Sequence, residues 1–221
     1  MADGVVSSPE RILDAAERLF GENGIHAVSL RAITSVANVN LASVNYHFGS
    51  KEGLIAAVLA RRADPINRRR EELLDELLSK PGGRAPPVEE ILHAFVDPAF
   101  ALFDSNETFL KFVARMFLEP EVSFRQVMLR QFNGIAARFV EALHHALPDI
   151  TMSELWIRFS FSVGALLHTW TSYRESTALS GAATVAVPGE KLARQWVSYA
   201  AAGLRARPAA GQTVQTAEVN L

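Results

Sequence analysis

The chain has 221 residues, 49% of them hydrophobic and 21% charged, and no cysteine, which is enough apolar material for one or two packed domains. This excludes a disordered chain, a collagen, a disulfide scaffold, a thiolate zinc site and a cysteine nucleophile. Lys and Arg number 22 against 24 Asp and Glu, a net charge of -2, so no global positive excess advertises a polyanionic partner.

In chain order, residues 1–8 carry neither a basic segment nor an apolar run, which predicts a disordered N-terminus rather than a signal or transit peptide. Ser7, Ser8, Pro9 and Glu10 form a helix start. Ile12, Ala15, Ala16, Leu19 and Phe20 then recur on one helical face until Gly21 to Gly24 stops it. Ser29 caps a short second helix carrying Leu30, Ile33 and Val36. Asn38 and Val39 fit a tight turn, Asn40 caps a third helix to about His47, and Gly49 with Ser50 ends it and caps the next.

A helix from Lys51 to Arg62 follows, and Asp64-Pro65 is expected to break or kink it. In the helix from Ile66 to Ser79, Leu73, Leu74, Leu77 and Leu78 form the apolar side, with Arg68, Arg69, Arg70, Glu71, Glu72, Asp75 and Glu76 opposite. KPGGRAPP, residues 80–87, is a loop. Further helices are predicted for about 88–103 with a kink at Pro98, then 108–118, 121–147, 151–176 and, after an uncharged loop over 177–188, 190–204. The tail from Arg207 is polar and expected to be loose. No segment alternates with the strand period over a useful length, so the expected fold is all-α, with about nine to ten helices. The uncharged stretch from Phe159 to Tyr173 is too short for a bilayer span, and a cytoplasmic location is the expectation.

Chemistry is scarce. The phosphate-loop, dinucleotide, zinc-protease and serine-hydrolase motifs are absent. His144-His145 diverge by about 100° on a helix, so they do not share one metal ion. No cofactor, metal or catalytic residue is expected. Residues 29–47 differ, because two short capped helices around a tight turn make a helix-turn-helix candidate. Between Glu22 and Glu52 stands no Asp or Glu, while Arg31 and Lys51 lie in the gap with His26 and His47, as approach to phosphates requires. In the second of the two helices Val44 and Phe48 are expected to face inward. Leu41, Ala42, Ser43, Asn45 and Tyr46 are expected to face out, offering contacts for a thymine methyl and an amide suited to adenine. Lys51 and Arg31 are candidate phosphate clamps. A helical hairpin with no groove to enter is the plainer alternative on spacing alone.

The runs Ser29-Leu30-Arg31-Ala32-Ile33, Val36-Ala37-Asn38-Val39-Asn40 and Val44-Asn45-Tyr46-His47-Phe48-Gly49-Ser50-Lys51-Glu52-Gly53-Leu54 resemble the DNA-binding domain of TetR-type transcriptional regulators. The similarity spans about residues 9–60, closing on the specific element [HY]-F-x-[SN]-K-[ED]-x-L. The chain departs from the family where Asn38 replaces Gly, Asn40 replaces Ser or Thr, and Asn45 replaces Tyr. The resemblance implies a helix-turn-helix domain over 9–60, an effector-binding and dimerisation domain over 61–206 and a flexible tail over 207–221. It also implies a DNA-facing set of Ser29, Arg31, Asn40, Leu41, Ala42, Ser43, Asn45, Tyr46, His47 and Lys51. VNLASVNYHFGS, residues 39–50, with Asp64 to Arg70 is similar to the branch that includes the PsrA-type regulators, which points to a long-chain fatty acid or acyl-CoA as effector.

Eleven of the 13 Phe lie between Phe95 and Phe161, a set that suits either a tight core or an apolar pocket. With the resemblance, the expected pocket comprises Phe95, Phe109, Phe112, Met116, Phe124, Met128, Phe132, Trp156, Phe159 and His168. Arg115, Arg130, Arg158 and His168 are candidates for a ligand's polar end. Leu155, Phe159, Val163, Leu167 and Trp170 in one helix, with Trp196 and Tyr199 in the last, are more apolar than a terminal helix pair needs. The resemblance implies that they pair with two-fold mates, setting two recognition helices about 34 Å apart on a palindromic operator. The expected partners are therefore double-stranded DNA, a small apolar effector and a second copy of the chain, with no membrane. The alternatives are a helical lipid- or small-molecule-binding protein without a regulatory role, and a small helical enzyme.

Overall fold

The computed structural model describes residues 7–103, 105–117, 121–179 and 187–207, without the side chains of 173–179. The residues expected to be loose at 1–6 and beyond 207, and most of the uncharged loop, lie outside these. The described residues form nine helices and no strand: α1 (Ser8–Asn23), α2 (Leu30–Ala37), α3 (Leu41–Phe48), α4 (Lys51–Leu78), α5 (Val88–Phe100), α6 (Glu107–Phe117), α7 (Val122–Ala146), α8 (Met152–Leu179) and α9 (Gly189–Arg205).

Helices α1, α2 and α3 wrap a small core in which Ile12, Ala16, Phe20, Ile33 and Val44 are buried against Leu54 and Val58 of α4. Each large side chain so buried contributes about 1.5–3 kcal/mol. The remaining helices form a second layer, with α5 packed on α9 and α4, α7 on α4, and α8 on α6, α7 and α9. Its centre is aromatic: the Phe95 ring lies 5.2 Å from Phe139 and 5.1 Å from Phe159, both edge-on.

One expected break is absent. Pro65 lies inside a continuous α4. Proline lacks the N–H that would bond the Arg61 carbonyl, but the turn is tied to α7 on both sides. Gln131 Nε2 donates to Asp64 Oδ1 at 2.6 Å, and Asn67 Nδ2 donates to the Gln131 carbonyl at 3.1 Å. Pro98 likewise stays within α5. Helix α4 therefore runs as one lever from the helix-turn-helix into the second layer.

The two layers meet at α1, α4 and α6. Phe20 stacks on Phe112 with ring centroids 5.9 Å apart. Gly21 lies so close to α6 that an added Cβ would come within 2.4 Å of the Thr108 methyl and 2.6 Å of its carbonyl. At the same junction the Glu17 carboxylate is buried. It accepts from Arg61 Nη2 at 2.5 Å, from Arg62 Nε at 3.2 Å and from Asn106 Nδ2 at 2.7 Å. Burial pushes its pKa up, but the hydrogen bonds from Asn106, Arg61 and Arg62 outweigh that and hold it below the ordinary 4.5.

A carboxyl whose folded pKa is depressed stabilises the fold fully above its unfolded pKa and loses that contribution as pH falls through the folded value. Glu17→Gln is expected to lower the unfolding free energy at neutral pH by about 1–3 kcal/mol, since it strands buried donors. In urea titrations the gap between variant and wild type is expected to close as the pH drops below about 4.5. A gap that persists unchanged in acid contradicts this account.

Candidate functional site

The turn between α2 and α3 is built from local side-chain caps. Ser29 Oγ accepts from the Ala32 N–H at 3.1 Å, Asn40 Oδ1 from the Ser43 N–H at 3.0 Å, and Ser50 Oγ from the Gly53 N–H at 3.1 Å. Each satisfies one of the orphan donors at a helix start. Asn38 takes a left-handed conformation, φ 51° and ψ 54°, so its amide side chain serves where a glycine would otherwise be favoured. Gly53 has a steric role that the motif alone did not suggest: an added Cβ would stand 2.0 Å from the Phe48 carbonyl oxygen. That close approach sets the angle between α3 and α4.

Val44 is buried and Phe48 half-buried, while Leu41, Ala42, Asn45, Tyr46 and His47 are exposed, Tyr46 to 85%. Ser43 is half-buried, with its hydroxyl 3.3 Å from Asn40 Oδ1. The outer face of α3 therefore presents an array without Asp, Glu, Lys or Arg, with Asn45 and Tyr46 foremost. Arg31 is exposed on α2, with no ion-pair partner among the described residues. Lys51 differs from the expectation of a free clamp, because its ammonium donates to the Ile25 carbonyl at 2.6 Å. That bond ties the start of α4 to the segment after α1, and two ammonium protons remain.

In the second layer a cavity of about 330 Å³ opens between α4, α5, α6, α7 and α8. Of the expected pocket set, Phe95, Phe109, Phe132, Trp156 and Phe159 line it. Phe112, Met116, Phe124 and Met128 do not line it; all are buried in the core instead, Phe112 against Phe20 and Phe124 beside His26. His168 is exposed on α8, away from the cavity. Aromatic richness cannot distinguish a packed ring from one bordering empty space. The remaining wall includes Ala63, Ile66 and Arg70 of α4, Val113 and Phe117 of α6, and Leu167 and Trp170 of α8.

None of the cations expected to hold a polar group lines this cavity. Arg115 Nη1 donates to the Gly21 carbonyl at 2.8 Å, near the end of α1 where carbonyls lack helical partners. Arg158 Nη1 donates to the Leu204 and Ala206 carbonyls at 2.8 and 2.6 Å and so closes the end of α9. Arg130 is exposed on α7. The cation in the wall is Arg70, which amphipathic spacing assigned to the solvated side of its helix and which is only 3% exposed. No helical-wheel argument finds it, because α7 and α5 cover α4 on that side as well.

The residues expected at a subunit contact occupy different environments within the chain. Leu155, Phe159, Trp170 and Trp196 are buried within the chain, and Val163 and Leu167 border the cavity; Trp196 Nε1 donates to the Ser162 carbonyl at 2.9 Å. Tyr199 is exposed, and the uncovered apolar groups of α8 are Met152, Trp156, Ile157 and Phe161. Among the described residues no cluster of His, Asp and Glu is placed to hold a metal ion, and no helix is long and apolar enough to cross a membrane.

Comparison with known proteins agrees with this architecture. Residues 12–58 match the bacterial regulatory proteins of the tetR family, and residues 93–203 match the tetracyclin repressor-like C-terminal domain. The chain is 32% identical over 171 residues to the HTH-type transcriptional regulator UidR of Escherichia coli K12, covering 70% of this chain and 87% of that protein. Two solved structures share the fold. The fatty acid degradation regulator FadR of Bacillus halodurans aligns with a TM-score of 0.66 at 15% identity, over 93% of this chain and 100% of that one. FadR of Bacillus subtilis, solved with stearoyl-CoA, aligns at 0.62 and 17% identity, over 87% and 97%. With a helix-turn-helix at its N-terminus, a helical domain behind it and a family match in each, the chain belongs to the TetR family of DNA-binding transcriptional regulators.

Proposed function

We propose that the protein is a homodimeric repressor that leaves a palindromic operator when a small apolar effector, of fatty-acid-like chemistry, enters the cavity. The observation that carries this reading is that the cavity walls α4 and α6 are the same helices that grip α1. Ala63, Ile66 and Arg70 border the cavity from α4, whose first turn abuts α3. Phe109 and Val113 border it from α6, whose neighbouring residues Asn106, Thr108 and Arg115 meet α1. A ligand that spreads these walls would tilt α4 and change the separation of the two recognition helices. Driving the DNA-competent fraction from 99% to 1% takes about 5.5 kcal/mol of preference for the released state. Burial of a large apolar ligand supplies that order at ~25 cal/mol per Å². The fatty-acid chemistry draws support from the apolar cavity wall, the similarity of residues 39–50 to the PsrA-type branch, and the structural neighbours described above.

The test is selection of genomic DNA fragments by the purified protein, followed by challenge of the best complex with acyl and aromatic compounds. A palindromic fragment released by an acyl compound is the expected outcome; enrichment of a fragment that no such compound releases contradicts the effector assignment.

For the DNA face, Asn45→Ala is expected to alter base preference without changing stability. Arg31→Ala is expected to weaken binding to all duplexes alike and to reduce the salt slope by about one. Lys51→Ala is expected to do the same and also to lower the melting temperature, since the bond to Ile25 is lost. Fluorescence anisotropy with specific and random duplexes at several salt concentrations separates the three, and equal effects of Asn45→Ala on both duplexes would refute its role as a base reader.

For assembly, Ile157 and Phe161 lie one helical turn apart on α8, 49% and 69% exposed, and Tyr199 of α9 is 65% exposed. An apolar strip of this kind on a folded helix pair fits a two-fold mate. Phe161→Glu is expected to give a folded monomer by analytical ultracentrifugation, with operator affinity reduced at least tenfold. A variant that remains dimeric removes this strip from the interface.

A further inference from the structure

We infer that Arg70 is the anchor for a free carboxylate, so that the effector is an amphipathic monocarboxylic acid bound acid-end inward. This rests on the effector-cavity reading proposed above.

Arg70 is 3% exposed. Its Nε donates to the Phe95 carbonyl at 2.6 Å, its Nη1 donates to Asn67 Oδ1 at 3.1 Å, and its central carbon lies 4.2 Å from the centre of the Phe95 ring. All these partners are neutral. Among the described residues no carboxylate reaches it, and Nη2 donates no hydrogen bond. Buried charges are ordinarily paired, because an isolated one loses its hydration without compensation. The other deeply buried guanidinium, Arg158, follows that rule, with Glu154 at 2.8 Å. Burial pushes Arg70 down to about 9, which leaves it a cation at neutral pH. It borders a mainly apolar cavity whose other polar wall residues, Asn133 and Ser160, carry no charge, and a ligand carboxylate there would supply the missing counter-charge through charge-assisted hydrogen bonds. Trp170, in the same wall, keeps its indole Nε1 buried without an acceptor, a second donor that the protein leaves unsatisfied.

Exposure orients the ligand. Arg70 is the buried end, whereas the wall residues Trp156 and Phe117 are 39% and 37% exposed, so the apolar tail points toward them. A cavity of about 330 Å³ lies at the small end of ligand sites, so an acid of about ten carbons or a compact aromatic acid is the natural first probe, and a longer chain needs the walls to part, as the proposed release requires. An acyl-CoA thioester has no free carboxylate to offer Arg70.

The test uses the full chain and calorimetric titration with decanoate, decanol, decanoyl-CoA and hexadecanoate. Decanoate is expected to bind at least tenfold more tightly than decanol or decanoyl-CoA. In Arg70→Met the acid is expected to lose at least tenfold while decanol is unchanged, and Arg70→Lys is expected to restore part of the preference. The wild-type comparison of acid with alcohol stands even if a variant misfolds. Equal binding of decanol and decanoate, or an Arg70→Met protein that binds decanoate like wild type, overturns the assignment and leaves the cavity reading in place. Failure of every compound to bind overturns both.

Discussion

The Glu17 carboxylate is withdrawn from water at the meeting point of three helices, and the geometry of the rest follows from how it is satisfied. Its two oxygens take hydrogen bonds from α4, through Arg61 and Arg62, and from Asn106 just before α6. With both sides fixed, α1 cannot slide along α6, and Gly21 permits the two backbones to approach closely. The stacked Phe20 and Phe112 rings fill the space beside them. The DNA-reading unit is consequently held by the helices that also enclose the cavity, rather than by a flexible linker.

That arrangement gives α4 two constraints that meet along one rod. Near its start, Ser50 caps it, Gly53 lies against the Phe48 carbonyl and Lys51 is tied to Ile25. Two turns beyond Arg61, Arg70 is sealed against Phe95 of α5. Pro65 removes one internal hydrogen bond between these regions, and Asp64 and Asn67 replace the lost rigidity by bonding α7. In the proposed mechanism a ligand at the Arg70 end works against the grip at the Arg61 end. The energy available is the charge compensation of Arg70 together with apolar burial, set against the junction around Glu17.

Much of the fold was legible because its signals are local. Ser29, Asn40 and Ser50 cap helices by bonding donors three residues away, and Asn38 turns the chain by its own conformation, so spacing reveals them. The inward face of Val44 and the outward face of Asn45 and Tyr46 follow from helical period. Continuity through Pro65 was not legible, because it depends on side chains of α7 more than sixty residues away. The cavity was half legible: composition located the aromatic layer but could not separate Phe112, locked against Phe20, from Phe109 beside it, which borders open space. Arg70 was misplaced for the same reason, since neither the face of a helix covered by two others nor the absence of a carboxylate nearby can be read from its own sequence. Phe159 and Trp170, expected at a subunit contact, turn inward within the chain, whereas Ile157 and Phe161 remain uncovered.

In the proposed mechanism ligand and DNA compete through α4 and α6 without sharing a site, and thermodynamic reciprocity offers a direct test. The measurement is the affinity of one carboxylate ligand for the free protein and for the protein saturated with its operator. The account predicts that the operator weakens the ligand at least tenfold, and that the ligand weakens the operator by the same factor. An identical ligand affinity in the two states would show that the cavity and the helix-turn-helix are not coupled, and would contradict it.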